Sequence, residues 1–391
     1  MAKVIPTHAE LAARALALVP KLRERAARAE ELRRIPDDTL TDLHASGLFR
    51  MLQPKRVGGS ELSYEAIVEL TAIIGRGCGS TAWVLANLAN HHWMLALWPR
   101  QAQDEIWGPS PDTLAGSALM FPAGHAERAD GGYRLSGHWK FSSGIDACGW
   151  CMLGGIAHSS EGELPEYQVF LVPQSDYRII DTWHVAGLRG TGSKDVEVSN
   201  VFVPAHRALA VKDMKGGIAP GGETAALYRL PVFDLFPYVV AGAALGIAQG
   251  ALEAFSEDIR HRITAYSTTL LADYATTQSR LGHAAAAVSA AERILTGNCR
   301  EAMALAANGV PTRDHKIRLR RDGAYAAHLC TTAVDLLFGA GGGEFLYNQQ
   351  VIQRSFRDVH AANSHYALAW DIATTMAGKD LLGIAADLPT L

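Results

Sequence analysis

The sequence predicts an α+β protein built in three blocks, and three observations carry that prediction. Apolar residues recur at a spacing near 3.6 in the early and late parts of the chain, the period of one helix face. Between residues 113 and 208 the period shortens to about 2, and turn signals such as Asp130-Gly131-Gly132 cut the segment into short runs. No repeat and no low-complexity linker separates the blocks, so they are expected to dock closely. The expected organisation is an N-terminal helical domain (1–112), a central antiparallel β-barrel or sandwich (113–208) and a C-terminal helical bundle (209–391).

A chain of 391 residues, 48% hydrophobic and 19% charged, can bury two or three cores and is too apolar for a disordered protein. Lys+Arg 36 against Asp+Glu 40 gives a net charge of -4, which offers no electrostatic footprint for nucleic acid. No apolar run reaches the roughly 18 residues of a spanning helix, so no membrane role is expected. Five cysteines, an odd number, do not make a secreted disulfide framework. The N-terminus is rich in Ala and Arg, but Glu10, Glu24, Glu30 and Glu31 interleave the arginines, unlike a transit peptide, and a cytoplasmic location is expected.

Along the chain, residues 8–35 read as two surface helices, the second beginning near Pro20, since proline suits a first helical turn. Residues 126–128 and 133–136 flank the turn as a hairpin, and 150–156, 167–172, 177–181 and 196–202 read as further strands. From Asp234 an alanine-rich helical pattern takes over: Val239, Ala243, Ile247 and Ala251 recur every four residues, with similar stripes over 275–297 and 322–338. Gly242, Gly246 and Gly250 share that spacing, each costing about 1 kcal/mol of helix propensity relative to Ala, a cost that close helix packing would offset.

Several motifs invite a chemistry that their context does not support. Cys148-Gly149-Trp150-Cys151 lies at the start of a predicted strand, where residues three apart face opposite sides, and no second cysteine pair exists. Residues 187–194 approach a P-loop, but the lysine does not directly follow the glycine and strands flank the segment, leaving at most a flexible loop presenting N–H groups and Arg189. Residues 339–343 lack the last glycine of a dinucleotide fingerprint and follow a helix, so no nicotinamide site is expected. His91 and His92 are adjacent, and His360 and His365 are five apart; neither is the i, i+4 pair of a zinc helix, and no metal is expected.

Four segments in chain order resemble the acyl-CoA dehydrogenase superfamily. They are Gly137-His138-Trp139-Lys140-Phe141-Ser142-Ser143-Gly144, similar to its flavin-contacting strand, residues 183–194 leading into 196–204, the glycine run 339–343, and Gln353-Arg354-Ser355-Phe356-Arg357-Asp358. The resemblance implies helices, a central β-barrel and a four-helix bundle. The dehydrogenases carry a glutamate base just after the Arg-Asp pair, whereas here no acid follows Asp358 until Asp371. Arg357-Asp358 followed by Ala362 and His365, together with Asn90-His91-His92-Trp93, Gly116-Ser117 and Ser142-Ser143-Gly144-Ile145-Asp146, is similar instead to the oxygenase components of two-component flavin monooxygenases such as 4-hydroxyphenylacetate and 3-hydroxy-seco-steroid hydroxylases.

That resemblance implies hydroxylation of a small aromatic or phenolic molecule by O₂ through a flavin C4a-hydroperoxide. With no nicotinamide site, the reduced flavin, expected as diffusible FMN or else FAD, would come from a separate flavin reductase. The resemblance also implies a homotetramer. Ser143 would place an uncharged hydroxyl near flavin N5, with Phe141 and Ser142 beside it; Ser142 points to the other face of the strand. Arg262, Gln278, Gly342 and Gly343 would reach flavin phosphate or ribose across a subunit boundary. His365 and His92 are the expected catalytic imidazoles, with His91 the alternative to His92, because a neutral histidine can accept a phenolic proton. Ser117 would hold a substrate substituent, and Phe233 and Phe236, with Tyr238, would wall the pocket. The competing expectations are an acyl-CoA dehydrogenase whose base has moved to Asp371 or Glu344, an N- or S-oxygenase on the same scaffold, and a helical interaction protein without flavin.

Overall fold

The computed structural model describes residues 5–158, 165–263, 268–385 and 390–391. The first block is α1 (His8–Leu32), α2 (Asp37–Ser46), α3 (Glu65–Gly75), α4 (Gly79–Leu95) and α5 (Arg100–Trp107). A capping box opens α1: the Thr7 side chain accepts the Glu10 N–H, and the Glu10 carboxylate accepts Thr7 N–H at 2.7 Å. Residues 8–32 form one helix rather than two. Pro20 lies on the solvent side near the exposed Leu16, whose unpaired carbonyl water can serve, while Leu11, Ala15, Leu18, Leu22 and Ala26 bury a continuous stripe that holds the helix together. In contrast, α4 is buried along its whole length.

The middle block is an eight-stranded sheet of β1 (Ala115–Ala118), β2 (Gly124–Ala129), β3 (Gly132–Ser142), β4 (Trp150–His158), β5 (Glu166–Pro173), β6 (Arg178–Ile180), β7 (Lys194–Pro204) and β8 (Ala208–Ala210). The strand order is β6-β7-β3-β2-β4-β5-β8, with β1 also on β4. The expected hairpin is present as β2 and β3. The sheet is mixed rather than antiparallel, because β1 and β2 both pair parallel with β4. After the hairpin reverses the chain in β3, the segment 143–149 carries it across to β4, which restores the direction of β2.

The last block holds α6 (Val232–Asp258), α7 (Ala275–Asn308), α8 (Arg313–Phe338) and α9 (Val351–Asn363), with α10 (Trp370–Leu381) packed on α8. The glycine stripe of α6 is the seam to the first block. A side chain at Gly242 would come within 2.6 Å of Thr71 Oγ1, one at Gly246 would run into the Ala72 carbonyl, and one at Gly250 would meet the Arg76 carbonyl at 2.9 Å. Contrary to the expectation that no apolar run is long enough to span, among the described residues α6 is long and apolar enough to cross a membrane, but 83% of its apolar window is buried in this fold, which marks it as a core helix. All five cysteines are free and buried, and burial raises the pKa of Cys148 and pushes that of Cys151 up to about 12, so both stay thiols.

Candidate active site

The site begins where β3 ends. Phe141 is held in the left-handed region at φ 68, a conformation costing a bulky residue about 1–2 kcal/mol, and its ring is 60% exposed with an edge toward Trp183, centroids 6.3 Å apart. Ser142 turns inward, its hydroxyl 3.7 Å from Cys151 Sγ, so only its backbone is available to a ligand on the outer face. Ser143 is half-buried; its Oγ accepts the Trp83 indole N–H at 3.0 Å and lies 2.8 Å from Ser193 Oγ.

Trp83 also joins this hydroxyl to an imidazole. His365, in the turn after α9, meets the Trp83 ring edge-on with centroids 5.6 Å apart, and on its other side stacks on Phe236 at 6.1 Å and 7°. Its Nδ1 accepts the Ala367 N–H at 3.2 Å, which puts the remaining ring proton on Nε2. Burial among these aromatics pushes its pKa down to about 4, so it is neutral at pH 7. Phe233, one turn before Phe236, packs on Phe121, in the turn between β1 and β2, at 6.1 Å. Tyr238 belongs to the bundle core instead, its hydroxyl donating to the Leu319 carbonyl at 3.0 Å.

The helical wheel of α4 sorts the two adjacent histidines. At about 100° per residue, Asn90 lies about 20° and His91 about 80° from Trp83, whereas His92 lies about 180° away. His91 Nδ1–H donates to the Ala115 carbonyl at 2.7 Å, two residues before Ser117 on the same face of β1, and leaves Nε2 bare and unpartnered. Asn90 Oδ1 accepts from Tyr64, leaving its amide N–H groups buried without a partner. His92 turns toward Trp107, whose indole N–H reaches its Nδ1 at 3.1 Å, and toward Gln53; its Nε2 is also unpartnered. Burial lowers the pKa of His91 to about 4 and that of His92 to about 3. Buried polar groups without partners are uncommon, and on the Trp83 side of this helix Asn90 and His91 mark places where a polar ligand would be satisfied.

The loop 187–193 is fixed rather than free. Its Leu188 N–H donates to Asp358 at 2.6 Å and its Gly190 N–H to Ser80 at 3.2 Å, so these donors are spent internally. Asp358 is fully buried, which pushes its pKa up to about 6, and Arg357 beside it turns away to Glu30 at 2.7 Å. The Arg-Asp pair is thus a brace for this loop and for α1.

Arg262, Gln278, Gly342 and Gly343 gather at one end of the bundle. Arg262 donates to Asp258 and to the Gly341 carbonyl, both at 3.0 Å, and lies over the Phe345 ring at 5.0 Å. Gln278 donates to the Ala272 carbonyl at 2.9 Å and Arg280 to the Gly339 carbonyl at 2.7 Å. Gly342, with φ +63, and Gly343 face open space. Glu344 lies exposed at this same end and Asp371 lies exposed in the first turn of α10, so neither displaced-base position contacts the cluster of Ser143, Trp83, His365 and Phe236. An uncharged hydroxyl, neutral imidazoles and an exposed aromatic on a strained strand end fit the reactive edge of a flavin, and a cation beside an open glycine run fits its phosphate.

Sequence reasoning did not single out Trp83, Ser193, Thr191, whose hydroxyl lies 2.7 Å from that of Ser193, or Asn87, whose amide donates to the Trp83 carbonyl at 2.8 Å. Asn87, Asn90 and His91 at helical spacing on a mostly apolar helix were the available signal.

Residues 6–110 match the acyl-CoA dehydrogenase N-terminal domain and residues 238–370 its C-terminal domain. The chain is 38% identical to the oxygenase subunit HsaA of a flavin-dependent monooxygenase from Rhodococcus jostii, over 94% of this chain and 97% of that one. It is 35% identical to the oxygenase component of an FADH₂-dependent resorcinol hydroxylase from a Rhizobium strain, over 96% and 95%. The crystal structure of 3-HSA hydroxylase from Rhodococcus sp. RHA1 superimposes with TM-score 0.92 at 37% identity, covering 98% of this chain and 99% of that one. XiaF from Streptomyces, in complex with FADH₂ and glycerol, does so with TM-score 0.90 at 30% identity, covering 98% of each. The chain therefore belongs to the flavin-dependent monooxygenase oxygenase components, built on the acyl-CoA dehydrogenase fold.

Proposed function

We propose that this enzyme hydroxylates the ring of a small phenolic molecule, using reduced FAD made by a separate reductase. The observation that carries the reading is the cluster of Ser143, Trp83, His365 and Phe236, which brings uncharged polar groups and aromatic walls together with no carboxylate among them. When bound, reduced flavin would supply the two electrons for O₂, so that one oxygen atom would enter the ring and the other leave as water. The chain's residues set the conditions for this. Ser143 offers a neutral oxygen to the reactive edge, where a carboxylate would draw off a proton. His365, with hydrogen on Nε2, donates to the phenolic oxygen and favours its electron-rich form. His91 presents a bare Nε2 that can take the phenolic proton, help worth on the order of 10²–10⁴ in rate. Ser117 holds a polar substituent, while Phe233 and Phe236 keep water out.

At the other end of the cofactor, Arg262, Gln278 and the backbone of Gly342 and Gly343 would grip phosphate and ribose. FAD is preferred here to FMN because two relatives at 30% identity or more carry FADH₂ in their names. The exposed Ile263, Leu346 and Tyr347 beside that grip support association with further copies, taken as a tetramer, and the location is taken as cytoplasmic.

Rapid mixing of the protein and reduced FAD with oxygenated buffer tests the reading. With a phenol present, a delayed return of the oxidised flavin spectrum and one hydroxylated product per flavin are expected. Immediate oxidation with stoichiometric hydrogen peroxide, whichever phenol is supplied, would overturn it.

A further inference from the structure

The hydroxyl of Ser143 is the open end of a buried chain whose hydrogens all point one way. The other end is the Leu188 carbonyl, which can only accept and also takes the Thr191 N–H at 3.1 Å and the Trp183 indole N–H at 3.2 Å; Thr191 Oγ1 lies 2.9 Å from it and directs its single hydrogen there, since two bare oxygens at that distance would repel. Ser193 Oγ lies 2.7 Å from Thr191 Oγ1, whose hydrogen is already committed, so Ser193 donates to Thr191. By the same logic Ser143 donates to Ser193 across 2.8 Å. The indole N–H of Trp83 can only donate, and it occupies one lone pair of Ser143. Thr191 and Ser193 are buried, and Leu188 is itself pinned through its N–H to Asp358, so water does not scramble the order.

We infer that Thr191, Ser193 and Trp83 are positioning residues that fix Ser143 as a pure hydrogen-bond acceptor, and that this selects the reduced flavin over the oxidised one. The inference rests on the proposed placement of the flavin's reactive edge at Ser143. Reduced flavin carries a hydrogen on N5, which the remaining lone pair of Ser143 accepts. Oxidised flavin presents a bare N5, which would face that lone pair with no hydrogen between them. Binding it well would require the whole chain to reverse, at the cost of the Thr191 hydrogen bond to Leu188. Spent cofactor is thereby released, and the next reduced molecule is taken up.

Anaerobic and aerobic titrations of FAD against the protein, with the potential of the bound flavin, test this without turnover. In Ser193→Ala the Ser143 hydrogen is released from its acceptor and can turn toward N5. The ratio of oxidised to reduced dissociation constants is then expected to shrink about tenfold, the worth of one hydrogen bond, with the potential of the bound couple falling by about 30 mV. Thr191→Val should act in the same direction, because Ser193 is then free to reverse. Thr191→Ser keeps a hydroxyl at the relay position and should restore the wild-type ratio. If Ser193→Ala and Thr191→Val leave the ratio unchanged while Ser143→Ala alters it, the chain does not set the preference and the inference fails, with the flavin site intact. If Ser143→Ala alters neither affinity, the placement of the flavin itself is wrong.

Discussion

The end of β3 and the end of the bundle differ in how complete they are. Around Ser143, the hydroxyl chain, Trp83, His365 and the α4 groups are fixed by buried contacts within one chain. At the bundle end, Arg262, Arg280 and Gln278 spend donors on their own chain's carbonyls, Gly342 and Gly343 face open space, and Leu346 and Tyr347 stand exposed. On the proposed placement of the flavin, the contrast teaches that one chain would specify the reacting edge of the cofactor, whereas the hold on its phosphate would depend on what covers the bundle end.

Acidification should expose the contrast most strongly. His91 and His92 are buried with pKa values lowered to about 4 and about 3, below the ordinary 6.5, so the folded state favours their neutral forms. The stability they contribute is present above pH 6.5 and is lost progressively as pH falls from 6.5 to the folded values. Between pH 7 and pH 5 each should cost the fold about 2 kcal/mol. Urea unfolding at the two pH values measures this; His91→Asn and His92→Asn should flatten the dependence, and a flat wild-type profile would mean that water reaches both rings.

A smaller effect, confined to chemistry, is expected at the substrate side of the β3 cluster. His365→Ala should lower product per flavin about 100-fold, with the oxygen appearing as peroxide, while the affinity for reduced FAD stays within about twofold. A parallel loss of affinity would move His365 from the substrate to the cofactor. Smallest is the effect at the open end: Arg262→Ala should weaken FAD binding about tenfold and leave product per bound flavin unchanged. Equal affinity in the variant, by equilibrium dialysis, would show that the phosphate is held elsewhere.

Much of the fold is legible in the sequence because it is periodic. The block order, the hairpin and the α6 glycine stripe are local patterns that tertiary structure has no reason to override. Pro20 misleads, since whether a proline breaks a helix depends on which side faces water, and that is fixed by the partners of Leu11, Ala15 and Leu22. The parallel pairing of β4 depends on a crossing at 143–149 that no strand pattern encodes. For the site, Ser143 and His365 are legible through motif resemblance alone. Trp83, Ser193 and, through Ser193, Thr191 are not, because the hydrogen bonds to Ser143 span 60 and 50 residues of chain. The choice between His91 and His92 needs the inner face of α4, which becomes known only once β1 and α5 are in place.

The α6 seam has a reach beyond its own packing. A methyl group at Gly246 would collide with the Ala72 carbonyl in α3, and α3 runs directly into α4, the helix that carries Trp83. Thickening the joint by one carbon would tilt the beam from which the indole hangs, so on the proposed placement of the flavin the handling of oxygen would answer to a glycine with no part in the reaction.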